Sequence, residues 1–281
     1  MTTSGIFMAI ERSGEIMASI SIGGAIAALA TLTTAATATT AAAAQTPSLA
    51  GKNVQMIIGF GSGGSFDLWG RLVARHIGRH LPGKPTVVPQ NMPGAGGLNA
   101  VNHIYSAAPK DGTVMGIIAG AAVLGPITGA LGARFDPGRI TWLGTPTTET
   151  NVCFAYNSPR VMVKTLKDLY ARELIVGATG PGAGSYSYPK ALSTLLGMKF
   201  KVIAGFSGAT AVMLAMERGE VDGNCQNLIG VTATRPQLIT GKKIVILFQG
   251  GAAPNPELKD VPFVNHLAHT SEDRQIGRAH V

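Results

Sequence analysis

From Val54 onward, short unbroken apolar runs alternate with stretches whose apolar residues recur at helical spacing, and glycine-rich loops separate the two. Val54–Ile58 is an apolar run that reads as a buried strand. A loop with glycines at 59, 61, 63 and 64 follows it. An amphipathic helix is then predicted from about Asp67 to Leu81. Trp69, Val73, Ile77 and Leu81 fall on one face at i, i+4 spacing, with Leu68 and Leu72 beside them, and Arg71, Arg75 and Arg79 on another. Further strands are predicted at Thr86–Val88, Thr113–Ala119, Val152–Tyr156, Leu174–Ala178, Lys201–Ile203 and Ile244–Phe248. Further helices are predicted at about Leu98–Ala108, from Ser185 to Leu196, and from Gly208 to Gly219. Thr165 and Asp168 have the spacing of a capping box, and Ala121–Gly144 shows no regular period. This alternation predicts an α/β chain with largely parallel sheets, arranged as two similar units that divide near Asn151.

Each unit carries a strand, a glycine loop and a helix start near its beginning: Gly59–Asp67 in the first, Thr179–Ser185 in the second. A second loop, Pro89–Gly97, follows the Thr86–Val88 strand. The first N–H groups of a helix have no internal partner and carry partial positive charge, so such loops suit an anion. Gly59-x-Gly61-x-x-Gly64 matches the dinucleotide spacing, but the next strand ends in Pro89-Gln90-Asn91 instead of the acid that binds a ribose hydroxyl. No loop supplies Gly-Lys-Ser/Thr for a phosphate loop. Ser62 has Phe60 where a nucleophile elbow needs glycine. His76, His80 and His103 lack metal-site spacing. Asp67, at a helix start, reads first as a capping residue and second as a site residue, and Trp69 reads as core. What remains is a site of backbone amides, small hydroxyls and few charges. It favours binding without chemistry and implies no cofactor. The enzyme alternative would rest on Ser62, Ser185 or Asp67.

Composition changes this picture in three places. With 281 residues, 46% hydrophobic, 14% charged and 37 glycines, the chain is long enough for one large or two modest domains with a real core. The net charge of +8 is spread over the surface, and no aromatics interleave with it, which argues against nucleic acid. The first 44 residues resemble an export signal: no charge lies between Glu15 and Lys52, Ile20–Ala30 is apolar, and Ala41–Ala44 offers a cleavage site. Glu11, Arg12 and Glu15 give no positive leader, so translation from Met8 or Met17 is an open alternative, as is an uncleaved anchor. Cys153 and Cys225 lack a metal pattern; an oxidising compartment would allow a bond, but the reading favours two buried free thiols.

Several stretches together resemble one family. Ile57–Asp67 resembles the opening motif of the tripartite tricarboxylate transporter substrate-binding proteins, the Bug family, and Gln90–Gly97 is similar to its second signature. Pro109–Thr113, Thr165–Leu169, Gly177–Ser185, Gly205–Gly208, Gly219–Asp222 and Asp260–Pro262 fall in order where the family has counterparts. The resemblance implies a type 2 periplasmic-binding-protein fold: two α/β domains joined by a hinge, in Venus-flytrap form. It implies periplasmic capture of a small carboxylate by a monomer, after signal cleavage near Ala44, and delivery to a two-subunit membrane permease. A binding protein that feeds a sensor is an alternative. The implied ligand contacts are Gly61, Ser62, Gly63, Ser65 and Asp67 from the first domain and Thr179, Gly180, Ala183, Gly184 and Ser185 from the second, with Phe206 and Asp222 near the mouth. The expected organisation is a signal over 1–44, domain 1 over 45–150, domain 2 over 151–243, and a hinge strand returning to domain 1 over 244–275. Gly59, Gln90, Met92 and Phe206 depart from the family pattern and leave the ligand open. Ile276–Val281 resembles a translated sequencing adapter, so a non-native tail over 276–281 and a longer natural protein, cut near Gln275, are expected.

Overall fold

The structure is a computed structural model that describes residues 6–11, 48–148 and 150–267. Among the described residues, ten strands form two five-stranded sheets. In chain order they are β1 (Ile6–Glu11), β2 (Asn53–Ile58), β3 (Thr86–Asn91), β4 (Val114–Ala119), β5 (Ile140–Gly144), β6 (Asn151–Tyr156), β7 (Leu174–Ala178), β8 (Phe200–Ala204), β9 (Gly223–Asn227) and β10 (Ile244–Gly250). The helices are α1 (Ser65–Ile77), α2 (Leu98–Ser106), α3 (Gly120–Val123), α4 (Asp168–Ala171), α5 (Gly184–Leu196), α6 (Ala209–Arg218), α7 (Leu228–Thr232) and α8 (Gln237–Thr240).

The sheets run β3-β2-β4-β1-β5 and β8-β7-β9-β6-β10. They share one plan. Three strands are parallel, a fourth enters antiparallel, and the fifth is antiparallel to the fourth. The two similar units expected from the sequence are therefore present as two lobes of one topology, with mixed instead of largely parallel sheets. Lobe 1 buries Val54, Met56, Ile57 and Ile58 of β2 and all of β4, between α1 on one face and α2 on the other. α1 lies close on its strand: a Cβ added at Gly70 would stand 2.6 Å from Ile58 Cγ1. Lobe 2 has an equivalent pair of clusters, one around Phe248, Leu192 and Leu174, the other around Phe154, Met213 and Met216.

Several elements differ from the expectations. β3 runs through Pro89 to Asn91, which an edge strand permits because its outer N–H positions need no partner. β5 lies in the stretch read as irregular. The segment over 244–275 does not return to domain 1 as far as it is described. β10 pairs with β6, and Gln249 fastens the following loop to it, its Nε2 donating to Leu258 O at 2.8 Å and Val261 O at 3.0 Å. Residues 145–150, of which 149 is not among the described residues, carry the chain between lobes.

Ile6–Glu11, inside the stretch read as an export signal, is a strand between β4 and β5 and antiparallel to both. The other parts of that stretch and the tail over 276–281 lie outside the described residues. Cys153 and Cys225 are bonded to each other and are not free thiols. They stand directly opposite in the β6–β9 register, a juxtaposition that the sheet topology creates and sequence spacing hides. The reciprocal bonds expected of Thr165 and Asp168 are present, Thr165 N donating to Asp168 Oδ2 at 2.9 Å and Asp168 N to Thr165 Oγ1 at 3.3 Å, but they shape the turn before α4, which begins at Asp168 after Lys167.

Candidate functional site

The lobes meet along the ends of β2 and β7, where the glycine loops lie. Three helices of at least ten residues start there, and none has a side-chain cap: α1 after Gly64, α5 after Ala183, α6 after Gly208. Their first N–H groups are left without intrahelical acceptors, and each helix start carries a partial positive charge of roughly half a unit. The loops and helix starts that meet, residues 59–67, 94–98, 178–187, 205–211 and 226–231, contain no Lys or Arg, and Asp67 is their one acid. An anion placed at these loops would meet backbone dipoles and no Lys or Arg side chain from them.

The lobes touch directly. Gly61 N donates to Ser207 O at 2.8 Å, and Thr210 Oγ1 donates to Gly63 O at 3.1 Å. On the other side Gly182 N donates to Ala95 O at 3.0 Å. Phe60 and Phe66 stack with centroids 4.2 Å apart, and Ala119 and Ala183 complete a small apolar plug across the contact. Gly96 has φ +70°, and a Cβ on it would stand 2.5 Å from both Ala183 N and Gly180 O. Only glycine lets the two backbones approach this closely.

The resemblance implies that the Gly59–Asp67 and Thr179–Ser185 loops supply the two sides of one ligand site. The structure pairs them differently. Gly61 and Gly63 meet Ser207 and Thr210, while Gly180, Gly182 and Ala183 meet Ala95 and Gly96. Sequence reasoning missed Ala95, Gly96, Gly182, Ser207 and Thr210. The glycine density of 94–97 and 205–208 was the available signal.

Of the remaining expected residues, Ser62 is exposed on the loop tip and Ser65 is buried at the start of α1. Thr179 and Ser185 face each other, with Thr179 N donating to Ser185 Oγ at 3.3 Å and the two hydroxyls 3.4 Å apart. Gly184 opens α5 beside them. Phe206 is half-buried against Gly177 and belongs to the lobe 2 core as much as to the cleft.

Asp67 is not a free site group. Its Oδ2 accepts from Gly63 N at 2.9 Å, and its Oδ1 accepts from Arg71 Nε at 2.9 Å and Asn91 Nδ2 at 2.8 Å. The carboxylate reaches back past the helix start and fixes the shape of the first loop, but it caps no N–H of α1, so the capping role expected of Asp67 is replaced by that of a loop brace. Burial pushes its pKa up, but the bonds from Arg71, Gly63 and Asn91, with the Arg71 charge, outweigh that and hold it below the usual range. Asp222 is not near the mouth. It precedes β9 and its N–H bonds Ile175 O early in β7, at the sheet end away from Thr179, and its carboxylate pairs with Arg160 at 3.0 Å.

A second feature joins the lobes beside this contact. An open pocket of ≈ 200 Å³ is lined by Ser65, Leu68, Trp69 and Leu72 of α1 and by Ile229 of α7. Trp69 thus serves both the lobe 1 core and this wall. Among the described residues no cluster of His, Cys, Asp and Glu could hold a metal ion, and no helix is long and apolar enough to cross a membrane.

No protein-family model matches the chain, and no curated protein sequence does. Solved structures do. MatC from Rhodopseudomonas palustris with bound malate is 22% identical with a TM-score of 0.59, over 76% of this chain and 72% of that one. The periplasmic binding protein BugD is 21% identical with a TM-score of 0.57, over 78% and 72%. Rpa4515 from R. palustris with adipate is 18% identical with a TM-score of 0.57, over 80% of each. The chain has the two-lobe α/β fold of these periplasmic solute-binding proteins.

Proposed function

We propose that the protein is an extracytoplasmic receptor of the Bug family, which captures a small organic acid between its two lobes and hands it to a tripartite tricarboxylate-type permease. The observation that carries the reading is the convergence of three uncapped helix N-termini, from both lobes, on a contact with no cationic side chain. A carboxylate there would accept from N–H groups of both lobes at once and so favour closure, the hinge mechanism of two-lobed receptors. The ordered sequence motifs and the acids named for MatC and Rpa4515 support the same class of ligand.

The enzyme alternative has less support. Asp67 is engaged by three donors, and Ser185 faces a threonine instead of a base. A thermal-shift screen of mono-, di- and tricarboxylates tests the proposal. A ligand that binds the folded state alone raises the melting temperature, by about 2.7 kcal/mol of stability at a hundredfold excess over Kd. Absence of any shift across the acids, with turnover of one of them, would overturn the receptor reading.

A further inference from the structure

The pocket between α1 and α7 carries the reading further, to the kind of acid bound. Its walls are apolar and come from both lobes. Leu68 and Leu72 of α1 are 44% and 41% exposed, and Ile229 of α7 is 36% exposed, although each faces the gap between lobes. Trp69 closes the lobe 1 side. Its one polar lining side chain is Ser65, which is 4% exposed, and no hydrogen bond to the hydroxyl is formed by any described residue. A second polar atom lies close behind it. A Cβ on Gly230 would stand 3.6 Å from Ser65 Oγ and 3.4 Å from Gln226 Oε1, and that Gln226 oxygen is buried without a partner. Buried polar atoms ordinarily have partners. The Ser65 hydroxyl in the groove lining, with the unpartnered Gln226 oxygen buried close behind it and the uncapped start of α1 beside it, marks where a ligand's polar head would bond. The Gln226 amide holds only a 3.6 Å contact to Met213 Sδ on its other side, so turning it over presents a donor in place of the acceptor at little cost.

We propose that this groove is a subsite for the apolar body of the bound acid, and that the ligand is a monocarboxylate with a compact hydrocarbon or aromatic body of about four to seven carbons, a cavity of about 150 Å³ being enough for benzene. The proposal rests on the receptor reading above. Its head lies at the start of α1 by Ser65, and its body lies between Leu68, Trp69, Leu72 and Ile229. Helix dipoles without any Lys or Arg balance one carboxylate; a second or third carboxylate would fall on the apolar wall, where an unpaired charge is costly. Such a body would cover hydrocarbon that Leu68, Leu72 and Ile229 expose.

The test uses the full chain and defined probes: straight-chain acids from acetate to heptanoate, benzoate, and succinate and citrate for comparison. Binding is read by titration calorimetry and by Trp69 fluorescence in a Trp142→Phe background, which leaves one tryptophan of the two. The expected result is an affinity that rises about three- to fourfold per added methylene and levels off once the pocket is full, with a Trp69 emission change. Leu72→Glu, at an exposed position, should weaken hexanoate or benzoate roughly tenfold without lowering the melting temperature, and Ile229→Ala should weaken it by less. Binding of succinate or citrate with none of the monocarboxylates overturns the subsite and leaves the receptor reading standing. Binding of monocarboxylates with no Trp69 response and no effect of Leu72→Glu also overturns it. Binding of none of the acids overturns both.

Discussion

Replacing Asp67 is the sharpest perturbation, because one carboxylate holds the first loop, the α1 start and the end of β3 together. Asp67→Ala removes the acceptor for Gly63 N, Arg71 Nε and Asn91 Nδ2. The three donors are not equally harmed. Gly63 is exposed and the Arg71 side chain is 42% exposed, so both can bond water instead, whereas the carboxylate itself is 6% exposed. A fully buried ion pair that loses one partner costs about 3–5 kcal/mol. With two of the three donors rehydrated, about 2–3 kcal/mol is expected. Asp67→Asn keeps an acceptor for Gly63 N but loses the charge opposite Arg71, and about 1–2 kcal/mol is expected. The sign of the pH effect follows from the depressed pKa. The stabilisation is fully present above the unfolded carboxyl pKa of about 3.9 and is lost as pH falls through the lower folded value. Urea unfolding followed by circular dichroism, at neutral pH and near pH 3, measures both. The gap between wild type and Asp67→Ala should narrow in acid. A neutral-pH loss below about 0.5 kcal/mol, or a gap that does not narrow, refutes the role assigned to Asp67.

Other expectations follow from single contacts. Gly96→Ala places a methyl group 2.5 Å from the Ala183 and Gly180 backbones. It should keep the lobes apart, so X-ray scattering should show a larger radius of gyration and acid-induced thermal shifts should vanish; an unchanged radius and shift would contradict this. Breaking Cys153–Cys225, which closes a separation of 72 residues, should destabilise by up to about 4 kcal/mol, read by urea unfolding with and without reductant. Thiol titration of the denatured, unreduced chain should find no free cysteine. Deleting residues 1–44 removes β1 from between β4 and β5 and leaves two open sheet edges. Open edges promote pairing with other chains, so light scattering should detect association that the full chain lacks; a stable monomer of unchanged melting temperature would argue that β1 adds nothing to lobe 1.

Much of this was readable before any coordinates. Wherever one chemical pattern decides an element, the boundaries agree closely: β7 and β4 are continuous apolar runs, and α5 and α6 end at Gly197 and Gly219, both in the left-handed conformation that favours glycine. β5 was missed because Ile140–Gly144 is half exposed and neither runs apolar nor alternates cleanly. The disulfide was missed because Cys153 and Cys225 become neighbours only through the β6–β9 register. The site was readable as glycine loops and helix starts, yet which loop meets which depends on how two rigid lobes approach, and no local pattern encodes that. Asp222 illustrates the error: its place in a family-like motif suggested the cleft, while its strand direction sets it at the opposite end of the sheet. The apolar groove was hidden for a related reason. Leu68 and Leu72 were read as flanking core positions of an amphipathic helix, and only α7 of the other lobe turns them into a wall.

The most direct test of acid capture is titration calorimetry of the full chain with the acid that gives the largest thermal shift, with the acid itself followed by NMR in the same sample. One-to-one saturable binding is expected, with the acid unchanged over hours and the heat abolished by Gly96→Ala. Steady conversion of the acid, or heat that does not saturate and survives Gly96→Ala, would contradict a two-lobed receptor that closes on its ligand.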